Sequence, residues 1–249
     1  MPITSPEWPL VPFVAALGVV GIVYAALACL AQTDLKRLIA YSSVGHMGFV
    51  VLGAATFTVG GVQAAVFASV AHGLITGLLF FLAGSIKDRY GTTDLARLKV
   101  LYGKVPRLAG VFAFAAMASL GLPGLAGFWG EMLAIRAAVD QAAALPEGTY
   151  RWLAFIAALG VILTSAYFLA LIRTMLQGGP VTPAAEVDST VELVADTVPA
   201  GGPGVVDVRG SEWVTWAPLV LLTLVLGVAP GLLLTPVADA TASFLGGLG

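Results

Sequence analysis

Charge is nearly absent from six long stretches of the chain: Pro12 to Ala31, Leu38 to Phe57, Gly61 to Ile86, Leu108 to about Val139, Trp152 to Ile172 and Trp213 to Leu234. A helix needs roughly 20 apolar residues to cross a hydrocarbon core of about 30 Å, whereas a barrel strand shows alternation over roughly 10. The stretches match the first pattern, so the sequence predicts an all-α, polytopic membrane protein with six transmembrane helices. The fourth stretch is too long for one straight helix, because about 32 residues would extend to about 48 Å. Pro123 and Gly121, Gly124, Gly127 and Gly130 interrupt it. This helix is therefore expected to be discontinuous at membrane depth.

The connectors set an orientation. The turn QTDLKR carries Lys36 and Arg37, and the connector from Lys87 to Arg107 carries Lys87, Arg89, Arg97, Lys99, Lys104 and Arg107. The alternate connectors, at Gly60 and from Asp140 to Tyr150, contain no Lys or Arg. Basic loops stay cytoplasmic, so an even number of spans leaves both termini on the periplasmic side, with Trp8, Trp213 and Trp216 near span ends. Four regions result: an N-terminal lead-in (1–11), a five-helix unit (12–177), a loop (178–212), and a final span with its tail (213–249). The loop holds Glu186, Asp188, Glu192, Asp196, Asp207 and Glu212 against one Arg209, and is expected to be a flexible cytoplasmic linker without chemistry of its own. No Lys or Arg precedes Lys36, so the first apolar run is expected to be a retained helix rather than a secretory signal.

Composition narrows the function classes. The 249 residues are 59% hydrophobic and 10% charged, with a net charge of −2, and the mean hydropathy is +0.96. These values exclude a nucleic-acid-binding protein, a soluble enzyme and a porin. The single cysteine, Cys29, lies in an apolar run, so the chain builds no disulfide, zinc or iron–sulfur centre from cysteine. Neither a dinucleotide fingerprint after a strand-like run nor a phosphate-binding P-loop is present. No cofactor or metal is expected in this chain.

Ionisable groups inside spans cost several kcal/mol, roughly 3 on insertion scales, so each needs a reason. Three stand out: His46, His72 and Glu131. Ser42 and Ser43 lie four and three residues before His46, and Ser69 and Thr76 flank His72 at minus three and plus four, which places hydroxyls on each histidine's helix face. A neutral imidazole has one donor and one acceptor nitrogen, so two of them with water form a plausible proton relay. The alternative is that each histidine only glues helices together. Glu131 follows the Pro123 break, where freed carbonyls and water can solvate a charge, and is read as the terminal proton acceptor. Its alternative is a helix-end carboxylate paired with Arg136. Lys36 and Arg37 either set topology or guide proton uptake from the cytoplasm.

The strings LAQTDLKRLIAYSSVGHMGFV, AHGLITGLLFFLAGSIKDRYGTTDLARLKVLYGKVP and ASLGLPGLAGFWGEM closely resemble the antiporter-like membrane subunits of respiratory complex I, the bacterial NADH:quinone oxidoreductase. They resemble chain M most, because the sister subunits L and N resemble each other in placing lysine where this chain has Glu131. The resemblance implies two inverted five-helix repeats and a further helix in each family member, with protons crossing along an axis of Lys, His and Glu. It assigns His46, His72 and Glu131 to that axis. This chain matches the second repeat and the final helix, so the N-terminal half is missing from it, whether the chain is a fragment, a split-gene product or an internal start.

The resemblance further implies a multi-pass protein of the bacterial inner membrane whose partners are other membrane-arm subunits. NADH, FMN, iron–sulfur clusters and quinone would all reside in those partners. On this reading the chain conveys protons from cytoplasm to periplasm as a non-redox subunit. Competing readings are a Na⁺/H⁺ antiporter or hydrogenase membrane-arm subunit of the same superfamily, and a scaffold that conducts nothing.

Overall fold

The computed structural model describes residues 10–98, 101–141, 143, 145–177 and 207–246, and among these no β-strand forms. Helices α1 (Leu10–Leu30), α2 (Leu35–Ala54) and α3 (Val59–Tyr90) come first. A single turn, α4 (Leu101–Lys104), precedes the two arms α5 (Pro106–Ser119) and α6 (Ala126–Val139). Helix α7 (Glu147–Ile172) continues into a π-helical turn, Arg173–Gln177, and α8 (Gly210–Val228) and α9 (Gly231–Gly246) close the chain. Among the described residues, four helical stretches are long and apolar enough to cross a membrane: Leu10–Leu30, Val59–Tyr90, Glu147–Leu176 and Gly210–Val228. Helix α2 has 20 residues but carries Lys36, Arg37, Ser42, Ser43 and His46, and it is not among them.

Side chains define the helix ends. Asp34 caps α2 by accepting from the Arg37 amide at 3.0 Å, and Thr58 caps α3 by accepting from the Gly61 amide at 3.0 Å. Gly91 ends α3 in the left-handed region at φ 70°, which a residue without a Cβ adopts at little cost. The turn before α2 is zipped to the turn after α3, since the Leu35 amide donates to Thr93 and the Leu95 amide to Thr33, each at 2.8 Å. Both basic connectors therefore lie at the same end of the bundle. Asp34 sits in this zipper, where burial pushes its carboxyl up but the Thr93 hydroxyl, the Arg37 and Lys36 amides and the Arg37 charge outweigh it and hold the carboxyl below its usual range.

The expected discontinuity lies between α5 and α6, across residues 120–125. Gly121 (φ 81°) and Gly124 (φ 93°) turn the chain there. Gly127 and Gly130 act differently. They lie within α6 and let it approach its neighbours, because a Cβ on Gly127 would lie 2.1 Å from the Ala118 carbonyl oxygen and one on Gly130 would lie 2.7 Å from the Ala68 Cα.

Two expectations at the C-terminal end need correction. The final span ends at Val228, not Leu234, because Pro230 lacks an amide and restrains Ala229 to φ −124°, ψ 64°, so a second helix starts at Gly231. Of the loop 178–212, residues 178–206 lie outside the described residues, but 207–212 are firmly engaged. Asp207 accepts from the Arg107 and Leu108 amides at 2.8 and 3.1 Å, supplying the cap that Val105 does not give α5. Glu212 accepts from both terminal nitrogens of the Arg89 guanidinium, at 2.8 and 2.6 Å, and from the Ser85 hydroxyl at 2.8 Å, which ties the start of α8 to the end of α3.

Two apolar clusters fill the bundle. One runs through Leu38, Phe67, Leu79, Phe112, Phe168 and Trp216, and the other through Ile22, Phe49, Leu52, Ala134 and Tyr150. The Arg89 side chain is 9% exposed and Glu212 is 17% exposed, so removing one partner leaves a poorly solvated charge. Glu212→Ala is expected to destabilise the fold by about 3 kcal/mol. Arg136→Ala, which removes the exposed pair with Asp140, should change stability by less than about 1 kcal/mol. Thermal unfolding in detergent compares the two.

Candidate functional site

The three ionisable groups of the spans converge where α2, α3, α5 and α6 meet. His46 Nδ1 lies 3.1 Å from Glu131 Oε1, and Nε2 lies 3.0 Å from the Ser119 hydroxyl oxygen. Ser119 is the last residue of α5 and Glu131 lies in the second turn of α6, so the imidazole bridges the two arms of the broken helix. Glu131 is 6% exposed and Ser119 is 2% exposed. The His72 ring centroid is 5.5 Å from that of His46, tilted by 47°, and His72 Nδ1 is 3.1 Å from the Thr76 hydroxyl. The Phe168 ring of α7 stacks on His46 with centroids 6.5 Å apart.

A cavity of about 20 Å³ opens among these groups, lined by His46, His72, Thr76, Ser119 and Glu131 together with Phe49, Ala71 and Ile75. This volume accommodates a water, and the lining supplies the polar partners one needs. Gly121 closes the site from the break, since a Cβ there would lie 3.0 Å from Glu131 Oε2. The arrangement can hold a proton on either side of the Nδ1···Oε1 contact with no heavy-atom movement. Among the described residues no hydrogen bond joins His46 directly to His72, and a water in the cavity that both rings line is the natural link between them.

The structure brings together His46, His72, Thr76 and Glu131 and leaves the other sequence candidates elsewhere. Ser42 and Ser43 both donate back to the Ile39 carbonyl, at 2.8 and 3.2 Å, and Ser43 lines an apolar groove between α1 and α2. Ser69 donates to the Ala65 carbonyl at 2.8 Å. The hydroxyl stripes expected for Ser43 and Ser69 thus satisfy their own helices. Pro123 is exposed in the break and does not line the cavity. Lys36 and Arg37 occupy the first turn of α2, about 15 Å along the axis from His46. Glu131 does not pair with Arg136, whose partner is Asp140 at 3.6 Å. Ser119, which the sequence reading missed, is the hydroxyl that His46 contacts, and it stands directly before the LGLPG break. Among the described residues, no three or more His, Cys, Asp or Glu side chains are grouped to hold a metal ion.

Residues 1–146 match the family described as NADH:quinone oxidoreductase/Mrp antiporter, TM, and the chain belongs to that family of membrane proteins. It is 38% identical over 230 residues to NADH-quinone oxidoreductase subunit M of Rhodobacter capsulatus, covering 92% of this chain and 40% of that protein. It is 45% identical over 167 residues to an NAD(P)H-quinone oxidoreductase chain 4 of a Picosynechococcus species, covering 66% of this chain and 30% of that one. Among solved structures, a chain of respiratory complex I from Thermus thermophilus superposes with a TM-score of 0.75 at 32% identity, over 95% of this chain and 45% of that chain. A chain of the Mrp complex of a Dietzia species gives a TM-score of 0.76 at 22% identity, over 98% of this chain and 50% of that chain, and shares the fold. The chain thus spans about 40% of the length of the Rhodobacter relative.

The close approach of α6 to α3 at Gly130 fixes where the next residue, Glu131, meets His46. Gly130→Ala is expected to force these backbones apart and destabilise the fold by about 1–3 kcal/mol. Gly110→Ala, where a Cβ meets nothing within 4 Å, should leave stability unchanged or slightly raised. Melting temperatures of the two variants test the difference.

Proposed function

We propose that this chain is a proton-translocating membrane-arm component of NADH:quinone oxidoreductase, of the subunit M type, conveying protons from cytoplasm to periplasm. Redox chemistry belongs to partner subunits, which hold NADH, FMN, iron–sulfur clusters and quinone. The chain lies in the bacterial inner membrane with six crossings and both termini periplasmic. Two of those crossings are α2 and the broken α5–α6 helix. It works with the other membrane-arm subunits and with the N-terminal half that the family resemblance implies.

The observation that carries this reading is the direct His46–Glu131 contact, with His72 beside it across a water-sized cavity. A proton arriving from the basic, cytoplasmic end passes His72, crosses a cavity water to His46, and moves through the ring to Glu131. Buried carboxylate and imidazole suit this task because a change of charge in a neighbouring subunit alters which of them holds the proton. Moving one charge against 100 mV requires about 2.3 kcal/mol. A swing of roughly two units in the proton affinity of one group supplies that, at about 1.36 kcal/mol per unit. A link through one water also allows the path to be interrupted, which a coupled pump requires.

The test uses membranes whose only copy of the polypeptide carries Glu131→Gln, with assembly checked on native gels. Pumping coupled to NADH oxidation is expected to fall at least about tenfold in an assembled complex. Unchanged pumping at full assembly would sink the proposal and leave a scaffolding role.

A further inference from the structure

Three consecutive residues of α6 are each committed to a different helix. Glu131 meets His46 of α2 at 3.1 Å. Gly130 lies against Ala68 of α3, where an added Cβ would lie 2.7 Å from the Ala68 Cα. The half-buried Trp129 donates its indole N–H to the Gly227 carbonyl of α8 at 2.7 Å. That carbonyl belongs to the last turn of α8, where regular donors run out, because Pro230 has no amide and the Leu232 and Leu233 amides bond to Ala229 and Pro230 instead. The indole therefore caps the end of this helix. Backbone contact holds the same end in place, since a Cβ on Gly227 would lie 2.2 Å from the Gly124 carbonyl oxygen in the break.

Successive helical residues point about 100° apart, so Trp129 and Glu131 project about 200° apart, on nearly opposite sides of α6. Gly130 between them has no side chain to interlock with Ala68. Its contact sets how closely α6 approaches α3 and leaves rotation about the α6 axis to the residues on either side. A rotation of about 20° moves an atom about 5 Å from the axis by about 2 Å, enough to part a carboxylate from an imidazole at hydrogen-bond distance. A continuous helix would fix that rotation through the backbone of α5, whereas here Gly121 and Gly124, at φ 81° and 93°, turn the chain between the two arms. We propose that Trp129 is a positioning residue: its indole N–H, anchored on the Gly227 carbonyl, sets the rotation of α6 that keeps Glu131 in contact with His46. The bearing on transport rests on the proton-carrier reading above, because a carboxylate turned away from the imidazole receives no proton from it.

The chain has two histidines, which makes a direct reading feasible. Solid-state NMR of the full chain in lipid vesicles, with ¹⁵N in the histidine rings and ¹³C in the glutamate carboxyl groups, reads the His46–Glu131 contact as a dipolar coupling. His46→Gln identifies the signal. Two variants remove the indole hydrogen: Trp129→Phe, and replacement of Trp129 by 3-benzothienylalanine, in which sulfur takes the place of N–H in a ring of nearly the same shape. Both are expected to lower the ratio of contacting to separated pairs by about threefold or more, the factor carried by one interhelical hydrogen bond in a bilayer. Replacement by 5-fluorotryptophan, which keeps the N–H, should retain the wild-type coupling. Unaltered helicity by circular dichroism marks folded protein. An unchanged coupling in the folded benzothienyl variant overturns the proposal, as does a coupling lost only with phenylalanine, which makes ring volume the cause. The coupling is read whether or not protons cross the membrane. Failure here and failure of the Glu131→Gln pumping test are therefore separate outcomes.

Discussion

The contact of one imidazole with both arms of a broken helix governs the centre of this bundle. A helix that stops at Ser119 and restarts at Ala126 leaves backbone groups without their regular partners, a costly state in lipid. Short turns recover some of them, with Leu122 donating to Met117, Leu125 to Leu122 and Phe128 to Leu125. His46 then joins the arms through Ser119 and Glu131. Because the joining group comes from α2, the relative position of the arms depends on how α2 and α3 pack. The close approaches at Gly127 and Gly130 place Glu131 by backbone contact rather than by adjustable side chains.

Long-range polar ties secure the periphery of this arrangement. At the end bearing the basic connectors, Asp207 caps α5 and Glu212 holds Arg89, so a short acidic run anchors α3, α5 and α8 together. Towards the other end of α8, the Trp129 indole donates to the Gly227 carbonyl at 2.7 Å, near the point where Pro230 removes the regular amide donor. Trp129 is two residues from Glu131, so the last membrane helix is fixed close to the acid as well as at its own beginning.

Sequence reasoning located the groups whose cost in a membrane is high. His46, His72 and Glu131 stand out in any charge-poor chain because an ionisable side chain in a span demands a reason, and the proline and glycines before Glu131 marked the break for the same kind of reason. It failed where the outcome depends on which of several inexpensive contacts forms. Ser43 and Ser69 have the right spacing to serve their histidines, but a serine in a helix can also turn back to a carbonyl of its own preceding turn, and both do. Ser119 gave no signal on α2 or α3 because it approaches His46 from a distant segment. Spacing along a helix reports the partners on that helix, whereas a contact between residues 73 apart depends on tertiary packing. The acids at 207 and 212 were hidden likewise, since composition alone made them part of a solvated linker.

The energetics of the central pair bear on its purpose. Desolvating a carboxylate and an imidazole together costs several kcal/mol, and a well-packed apolar replacement of a buried ion pair is often as stable or more so. The bundle already has two extensive apolar clusters, with Phe49 of one and Ala71 and Ile75 of the other lining the same cavity as His46 and Glu131. Apolar packing was therefore locally available as a way to hold α2 against the broken helix. An acid–imidazole contact beside a second histidine and a water-sized space is a less economical way to join helices, but it is one that can store and pass a proton. That difference favours a chemical role for the pair over a purely structural one.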